Sequence, residues 1–350
     1  MSKTPLRIEQ LDTVLYNSNL NPMGVPESVS KALAENLKNI IRYPSEYYDS
    51  LKKSISAYAV CDEANIVLSG GLSDMLRLYT SLIIPGKALL LVPTATEYEN
   101  VLSIYGSDID YYYLNEDENY MLNVSDFISK LDSSYDMLIL GNPNNPTSQI
   151  ISREDMKLIA DACKRLDIFL IIDEMYIEFT EDYKELTSVP LVKEYDNIAV
   201  LRSVSKFFAV PGLRLAYSIT SNPSHLEMIG VTTAPNNIST LTAAACIPMF
   251  SDEKYIEESR SQIHTERNLI YSAMNTNKNI KLIKPYANFM LVKILKEDIT
   301  AQILEEHCRS KGIIIRNCSG FRGLNNKYIR FCFMKPKQND LLVNSILELL

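Results

Sequence analysis

With 350 residues, 46% of them hydrophobic and 22% charged, the chain is long enough for one large core plus a smaller one, and its composition excludes disordered and collagen-like classes. Thirty-five basic against forty-three acidic residues give a net charge of −8, which, with no basic cluster, argues against nucleic acid as a partner. Six scattered cysteines (Cys61, Cys163, Cys246, Cys308, Cys318, Cys332) form no CxxC pair and no histidine stands at ligand spacing, so reduced thiols, a cytoplasmic location and no metal site are expected.

No run approaches the ~20 apolar residues that cross a bilayer, so no membrane span is expected. Met1 to Gln10 lacks the apolar core of a signal peptide or anchor. Residues 1–30 are rich in turn formers, ending in Asn17-Ser18-Asn19-Leu20-Asn21-Pro22-Met23-Gly24, and read as an arm or loop. Apolar residues then recur at helical spacing over 29–41 until Arg42-Tyr43-Pro44 stops the helix. A second helix is predicted over 48–60.

Ile66-Val67-Leu68-Ser69-Gly70-Gly71-Leu72-Ser73-Asp74 reads as a strand, a glycine turn and a helix running to 83. A helix starting near Ser73 offers free N–H groups and a positive dipole end, a place for a phosphate. The alternative is that Ser73 and Asp74 simply cap their own helix. GxGxxG and GxxxxGK[ST] are both absent, so dinucleotide and nucleoside-triphosphate sites have no motif behind them.

Beyond Pro85-Gly86, strands over 88–92, 109–114 and 137–140 alternate with helices over 97–105, 124–131 and 152–166. The unbroken apolar run Ile168 to Ile172, ending in Asp173-Glu174, has the character of a strand buried on both faces in a parallel sheet. A strand over 197–201 runs into Ser203-Val204-Ser205-Lys206, and another follows over 213–219. Because right-handed crossovers keep parallel strands pointing one way, Asn145, Asp173 and Lys206 fall on one sheet edge, where open α/β sheets bind ligands. A lysine among other cations and apolar walls has its pKa pushed down, which suits a Schiff-base nucleophile.

An uninterrupted helical pattern over 251–274 marks a boundary to a smaller α/β tail, with strands over 280–283, 289–294, 312–315 and 328–333 and helices over 299–310 and 339–350. The predicted architecture is therefore α/β: a three-layer α/β/α large domain with a mostly parallel sheet over 46–250, and a smaller α+β domain over 251–350. Residues 1–45 form an arm and helix packing on the small domain and a partner subunit. Arg316, Arg322 and Arg330 lie in or beside the tail strands, and an arginine fork suits a carboxylate or phosphate. His225, His264 and His307 read as surface residues.

The succession GGLSD (70–74), NPNNPT (142–147), DEMYIEF (173–179) and SVSKFFAVPGLR (203–214), followed by Arg330, resembles the class I/II aminotransferases of pyridoxal-phosphate fold type I in order and spacing. The resemblance implies pyridoxal 5'-phosphate as cofactor, with Lys206 as the Schiff-base lysine and proton carrier. Asp173 would pair with the pyridine nitrogen. Asn145 and Tyr176 would bond the 3'-oxygen, and Tyr98 would stack on the ring. Ser73, Asp74, Ser203, Ser205 and Arg214 would hold the phosphate, and Tyr43 would reach the phosphate in a neighbouring subunit, which implies a homodimer with shared active sites. Arg330 would clamp the substrate carboxylate, with Arg316 and Asn21 as further substrate contacts.

Two branches of that family are similar to the chain, histidinol-phosphate aminotransferase and threonine-phosphate decarboxylase. The first implies transfer of an amino group from a small phosphorylated amino compound to a keto acid such as 2-oxoglutarate. Leu20, Thr96-Glu97-Tyr98 and the segment Arg316-Asn317-Cys318-Ser319-Gly320-Phe321-Arg322-Gly323-Leu324 lean toward the L-threonine-O-3-phosphate decarboxylase alternative. A third reading is a cofactor-binding regulator without turnover. The chain departs from both branches at Gly70, usually asparagine, and at Ser148, usually glycine.

Overall fold

The computed structural model describes residues 13–232 and 236–350, so the reading of Met1 to Gln10 falls outside the described residues. In chain order the elements are β1 (Val14–Leu15), α1 (Glu27–Asn36), α2 (Ser45–Ala59), β2 (Ile66–Ser69), α3 (Leu72–Ile83), β3 (Lys87–Val92), α4 (Thr96–Ile104), β4 (Asp108–Tyr113), α5 (Val124–Ser129), β5 (Met137–Gly141), α6 (Arg153–Leu166) and β6 (Phe169–Asp173). There follow α7 (Tyr183–Leu186), β7 (Ile198–Ser203), α8 (Val204–Phe207), β8 (Ala216–Ile219), α9 (Pro223–Thr232), α10 (Thr240–Met249) and α11 (Glu253–Met274). The last are β9 (Ile280–Leu282), β10 (Phe289–Ile294), α12 (Ala301–Ser310), β11 (Ile313–Ile314), β12 (Arg316–Asn317), β13 (Tyr328–Cys332) and α13 (Pro336–Leu347).

Seven strands make one sheet in the order β2-β8-β7-β6-β5-β3-β4, parallel throughout except where β8 runs against β2 and β7. Alternate side chains of its strands feed two separate cores. On one face Val67, Ile139, Ile171 and Leu201 pack with Met75 and Tyr79 of α3 and Val101 of α4. On the other, Leu68, Leu140, Ile172 and Val200 pack with Leu51 and Ile55 of α2 and Met156 and Ile159 of α6. This is the helix–sheet–helix layering expected of apolar strands buried on both faces. The second sheet, β12-β13-β10-β9, is antiparallel and smaller.

Several elements differ from expectation. The stretch read as an arm carries a short strand, since β1 pairs in parallel with β11. Helix α1 packs on α10, and Ser28 near its start donates to Asp252 Oδ2 at 2.6 Å. The helix predicted over 29–41 tightens into a 3₁₀ turn over Leu37–Ile41. The strand predicted from 213 begins at Ala216, because Pro211–Leu213 form a 3₁₀ turn and Arg214 takes a left-handed φ of 55°. Helices α9 and α10 had no prediction; α10, TLTAAACIPM, is apolar all round and so shows no periodicity to read. His225 is half-buried, its ring 5.0 Å edge-on to Phe169, rather than a surface residue.

Candidate active site

The C-terminal ends of β5, β6 and β7 open onto a cavity of about 290 Å³ whose walls include Ser73, Tyr98, Asn145, Asp173, Tyr176 and Lys206. Lys206 sits on α8, one short turn past β7, started by the Ser203 side chain accepting the Ser205 N–H. Its Nζ donates to the backbone carbonyl of Ser18 at 2.7 Å. Burial first, then the positive charges of Arg330 and Arg214, push its pKa down to about 8.

Asp173 ends β6 and is buried; Oδ2 accepts from the Tyr98 hydroxyl at 2.6 Å and Oδ1 from the Met175 N–H at 2.9 Å. Burial raises this carboxyl to about 6, while the two donors hold it lower than burial alone would. Tyr98, whose side chain is buried in the wall, is thus tethered to Asp173. The Tyr176 hydroxyl accepts from Asn19 Nδ2 at 3.3 Å, and its ring packs edge-on at 4.8 Å to Phe289. Asn145 Oδ1 accepts from Arg330, whose other guanidinium nitrogen donates to the Asn17 carbonyl at 2.7 Å.

One end of the cavity has the construction of an oxyanion cradle. Gly71, at φ +132°, is the N-cap of α3, and no side chain caps that helix, so Ser73 and Asp74 do not close it themselves. The reading of these two as simple caps is overturned. Asp74 instead faces Gly70, where a Cβ would lie 2.7 Å from its Oδ2, and pairs with Arg77 at 3.7 Å. The Arg214 guanidinium approaches Gly71 end-on, and a Cβ there would fall 2.2 Å from its terminal nitrogen. Ser203 Oγ and Ser205 Oγ meet at 2.7 Å, and Ser205, Ser73 and Arg214 all reach the cavity wall. Open helix N–H groups, a guanidinium and hydroxyls around one space suit a phosphate.

Of the expected site residues, Asp74, Ser203, Arg330, Asn21 and Arg316 do not line this cavity. Asn21 is buried but turned away from the cavity: Nδ2 donates to the Phe207 carbonyl at 2.7 Å and to Ser259 Oγ at 2.8 Å, and its own N–H bonds the Lys206 carbonyl at 3.1 Å. It holds the lysine's turn from behind instead of meeting a substrate. Arg316 lies directly across β12–β13 from Arg330, but its guanidinium swings out over the Phe321 ring at 5.5 Å, as expected for like charges placed opposite each other. Tyr43 is 74% exposed and lines a separate shallow depression with Ile41 and Thr240.

Sequence reasoning misses the backbone carbonyls of Asn17 and Ser18, which engage the two cations, and Glu97 and Met175 in the wall. The two departures have structural explanations. Ser148 takes a left-handed φ of 61°, and its Oγ accepts the N–H groups of Tyr286 (3.0 Å) and Ala287 (2.8 Å), tying the 142–147 loop to the segment ahead of β10. At position 70, the Asp74 carboxylate fills the space a side chain would need.

A mostly parallel sheet whose strand ends hold a depressed lysine and a buried carboxylate, beside an uncapped helix start, defines an α/β protein of the pyridoxal-phosphate fold type I class. The sequence profile described as aminotransferase class I and II matches residues 12–346, and the chain belongs to that family, whose members use pyridoxal 5'-phosphate. A protein of Caldanaerobacter subterraneus subsp. tengcongensis, provisionally named threonine-phosphate decarboxylase, is 34% identical over 329 residues, 94% of this chain and 88% of that one. A histidinol-phosphate aminotransferase of Methanosphaera stadtmanae is 30% identical, covering 96% and 90%. The crystal structure of the histidinol-phosphate aminotransferase from Clostridium acetobutylicum superposes with a TM-score of 0.89 at 34% identity, covering 96% and 98%. The chain thus lies in the branch that holds both enzymes. No helix among the described residues is long and apolar enough to cross a membrane.

Proposed function

We propose that the chain is a pyridoxal-phosphate-dependent aminotransferase acting on a small phosphorylated amino compound, of the histidinol-phosphate type, with a keto acid such as 2-oxoglutarate as acceptor. The residues present fit the cofactor. Gly71 leaves the room in which Arg214 lies, and the uncapped start of α3 needs an acceptor for its N–H groups. Asp173, a buried carboxylate bonded by two neutral donors, suits a cationic ring nitrogen. Ser73, Ser203, Ser205 and Arg214 would hold the phosphate, Asp173 the ring nitrogen, Asn145 and Tyr176 the 3'-oxygen, with Tyr98 against the ring and Lys206 as the covalent link. When bound, the group supplies a sink for the negative charge that develops at the substrate's Cα.

The chain's own residues do the rest. The likeness to the histidinol-phosphate aminotransferase structure from Clostridium acetobutylicum, at 34% identity and a TM-score of 0.89, is the observation that supports this reaction, and Arg330, hydrogen-bonded to Asn145 of the cavity wall, would hold the carboxylate of the keto acid. With a pKa near 8, Lys206 exchanges a proton at Cα within the neutral range. The arm, through the Asn17 and Ser18 carbonyls, keeps both cations in place. Tyr43, exposed beside Ile41, would reach the cofactor phosphate of a second subunit in a homodimer with shared sites. Six free cysteines support a reducing, cytoplasmic setting.

Threonine-phosphate decarboxylation is the second reading, favoured by the 34% identity to the Caldanaerobacter protein and by Leu20 and the 316–324 segment. One assay separates them. Purified holoenzyme is offered histidinol phosphate with 2-oxoglutarate and, separately, threonine phosphate, with keto product and carbon dioxide read together. Acceptor-dependent turnover of histidinol phosphate supports the proposal; acceptor-independent carbon dioxide from threonine phosphate overturns it in favour of the second.

A further inference from the structure

One arginine beside the small sheet is committed to the protein itself. Arg322 stands in the loop between β12 and β13 and reaches across to Glu99 of α4, where Nη2 donates to Oε1 at 2.6 Å and Nε to Oε2 at 3.4 Å. Tyr111 of β4 donates its hydroxyl to the same Oε1 at 2.8 Å, and its ring centroid lies 4.1 Å from the guanidinium carbon. A helix, a strand and a distant loop thus converge on one carboxylate, in a forked and stacked geometry that arginine forms and lysine does not. The next residue, Gly323, takes a left-handed φ of +85° and lies so close to the end of β3 that a Cβ would stand 3.5 Å from the Pro93 nitrogen.

The contact joins two parts of the active site. Glu99 follows Tyr98, which lines the cavity and donates to Asp173. Arg322 belongs to the loop that leads into β13, the strand of Arg330. That loop is stiff: Phe321 is buried, its N–H bonds the Cys318 carbonyl at 3.0 Å, and the Cys318 N–H bonds the Tyr328 carbonyl at 2.9 Å. The fork of Arg322 therefore sets where the β12–β13 hairpin sits against α4, and with it where Arg330 stands beside Asn145. The start of β13 has its own tie, from the Tyr328 hydroxyl to Glu116 at 2.7 Å, so losing the Arg322 contact loosens the hairpin without detaching it.

We propose that Arg322 and Glu99 are positioning residues for the active site, a latch that holds Arg330 where it grips a carboxylate. This rests on the role given to Arg330 above. The two side chains are 43% and 30% exposed, so their pairing adds little to global stability and its effect falls on anion affinity.

The test titrates holoenzyme calorimetrically with succinate, an unreactive dicarboxylate. Wild type binds it and Arg330→Gln loses most of that binding, which checks the role of Arg330 by itself. Arg322→Gln and Glu99→Gln each weaken succinate binding about three- to tenfold while melting within about 2 °C of wild type. The two together lose little more than either alone, because both remove one contact. Succinate binding that is absent from wild type, or left intact by Arg330→Gln, overturns the role of Arg330 and the latch with it. Loss in Arg330→Gln with wild-type affinity in the two latch variants, or with fully additive losses in their combination, overturns the latch alone.

Discussion

Gly71→Ala isolates the phosphate cradle from the rest of the site. Its φ of +132° is a region that residues with a Cβ rarely occupy, at a cost of about 1–3 kcal/mol. The added Cβ would start 2.2 Å from an Arg214 guanidinium nitrogen, whereas ordinary contact begins at 3.4 Å, so the guanidinium must retreat by 3.4 − 2.2 = 1.2 Å. A shift of that size takes a charge-assisted hydrogen bond out of range, and such a bond contributes about 1.5–3 kcal/mol. The expected outcome is a cofactor dissociation constant raised about 10- to 150-fold, read by absorbance titration of cofactor-free protein with pyridoxal phosphate. Arg214→Gln should give a similar loss. The double variant should lose little more than either single one, because both remove the same contact. Wild-type affinity in a folded Gly71→Ala protein would refute the reasoning.

Other substitutions probe the supports around the site. Ser148→Ala leaves the Tyr286 and Ala287 N–H groups without their acceptor and should lower unfolding stability by about 1–3 kcal/mol in urea; Ser148→Gly relieves the positive φ yet loses the same bonds, so it should not restore the wild-type value. Arg202→Met strands Glu174 in the core and should cost about 3–5 kcal/mol, whereas combining it with Glu174→Gln should recover much of that, as melting and urea curves will show. For Lys206, the folded-state pKa of about 8 lies below the ordinary lysine value of 10.5. Between these values the unfolded chain binds the extra proton, so this group's contribution to stability rises with pH across that window. Cofactor-free Lys206→Met should therefore melt higher than wild type at about pH 7, with an advantage that shrinks above about pH 8.

What could be read ahead of the structure follows from which interactions are local. Strands buried on both faces announce themselves as unbroken apolar runs, so β5, β6 and β7 and the polar groups at their ends were legible. The cluster of Asn145, Asp173 and Lys206 at one cavity follows from the parallel order of those strands. Asn21 was misread because an asparagine in a turn-rich arm carries no sign of which way it will face; here it turns inward to the carbonyl of Phe207, 186 positions away. Arg316 was misplaced because its neighbour across the ladder, Arg330, depends on a register that sequence does not fix. The carbonyls of Asn17 and Ser18 are backbone groups, identical at every residue, and only the path of the arm makes them partners of Arg330 and Lys206.

The most direct measurement is to reduce the holoenzyme with borohydride and map the modified peptide by mass spectrometry. The account predicts loss of a pH-sensitive absorption band and a single pyridoxyl adduct on Lys206, absent in Lys206→Ala. An adduct on another lysine, or a Lys206→Ala protein that keeps the band, would contradict it.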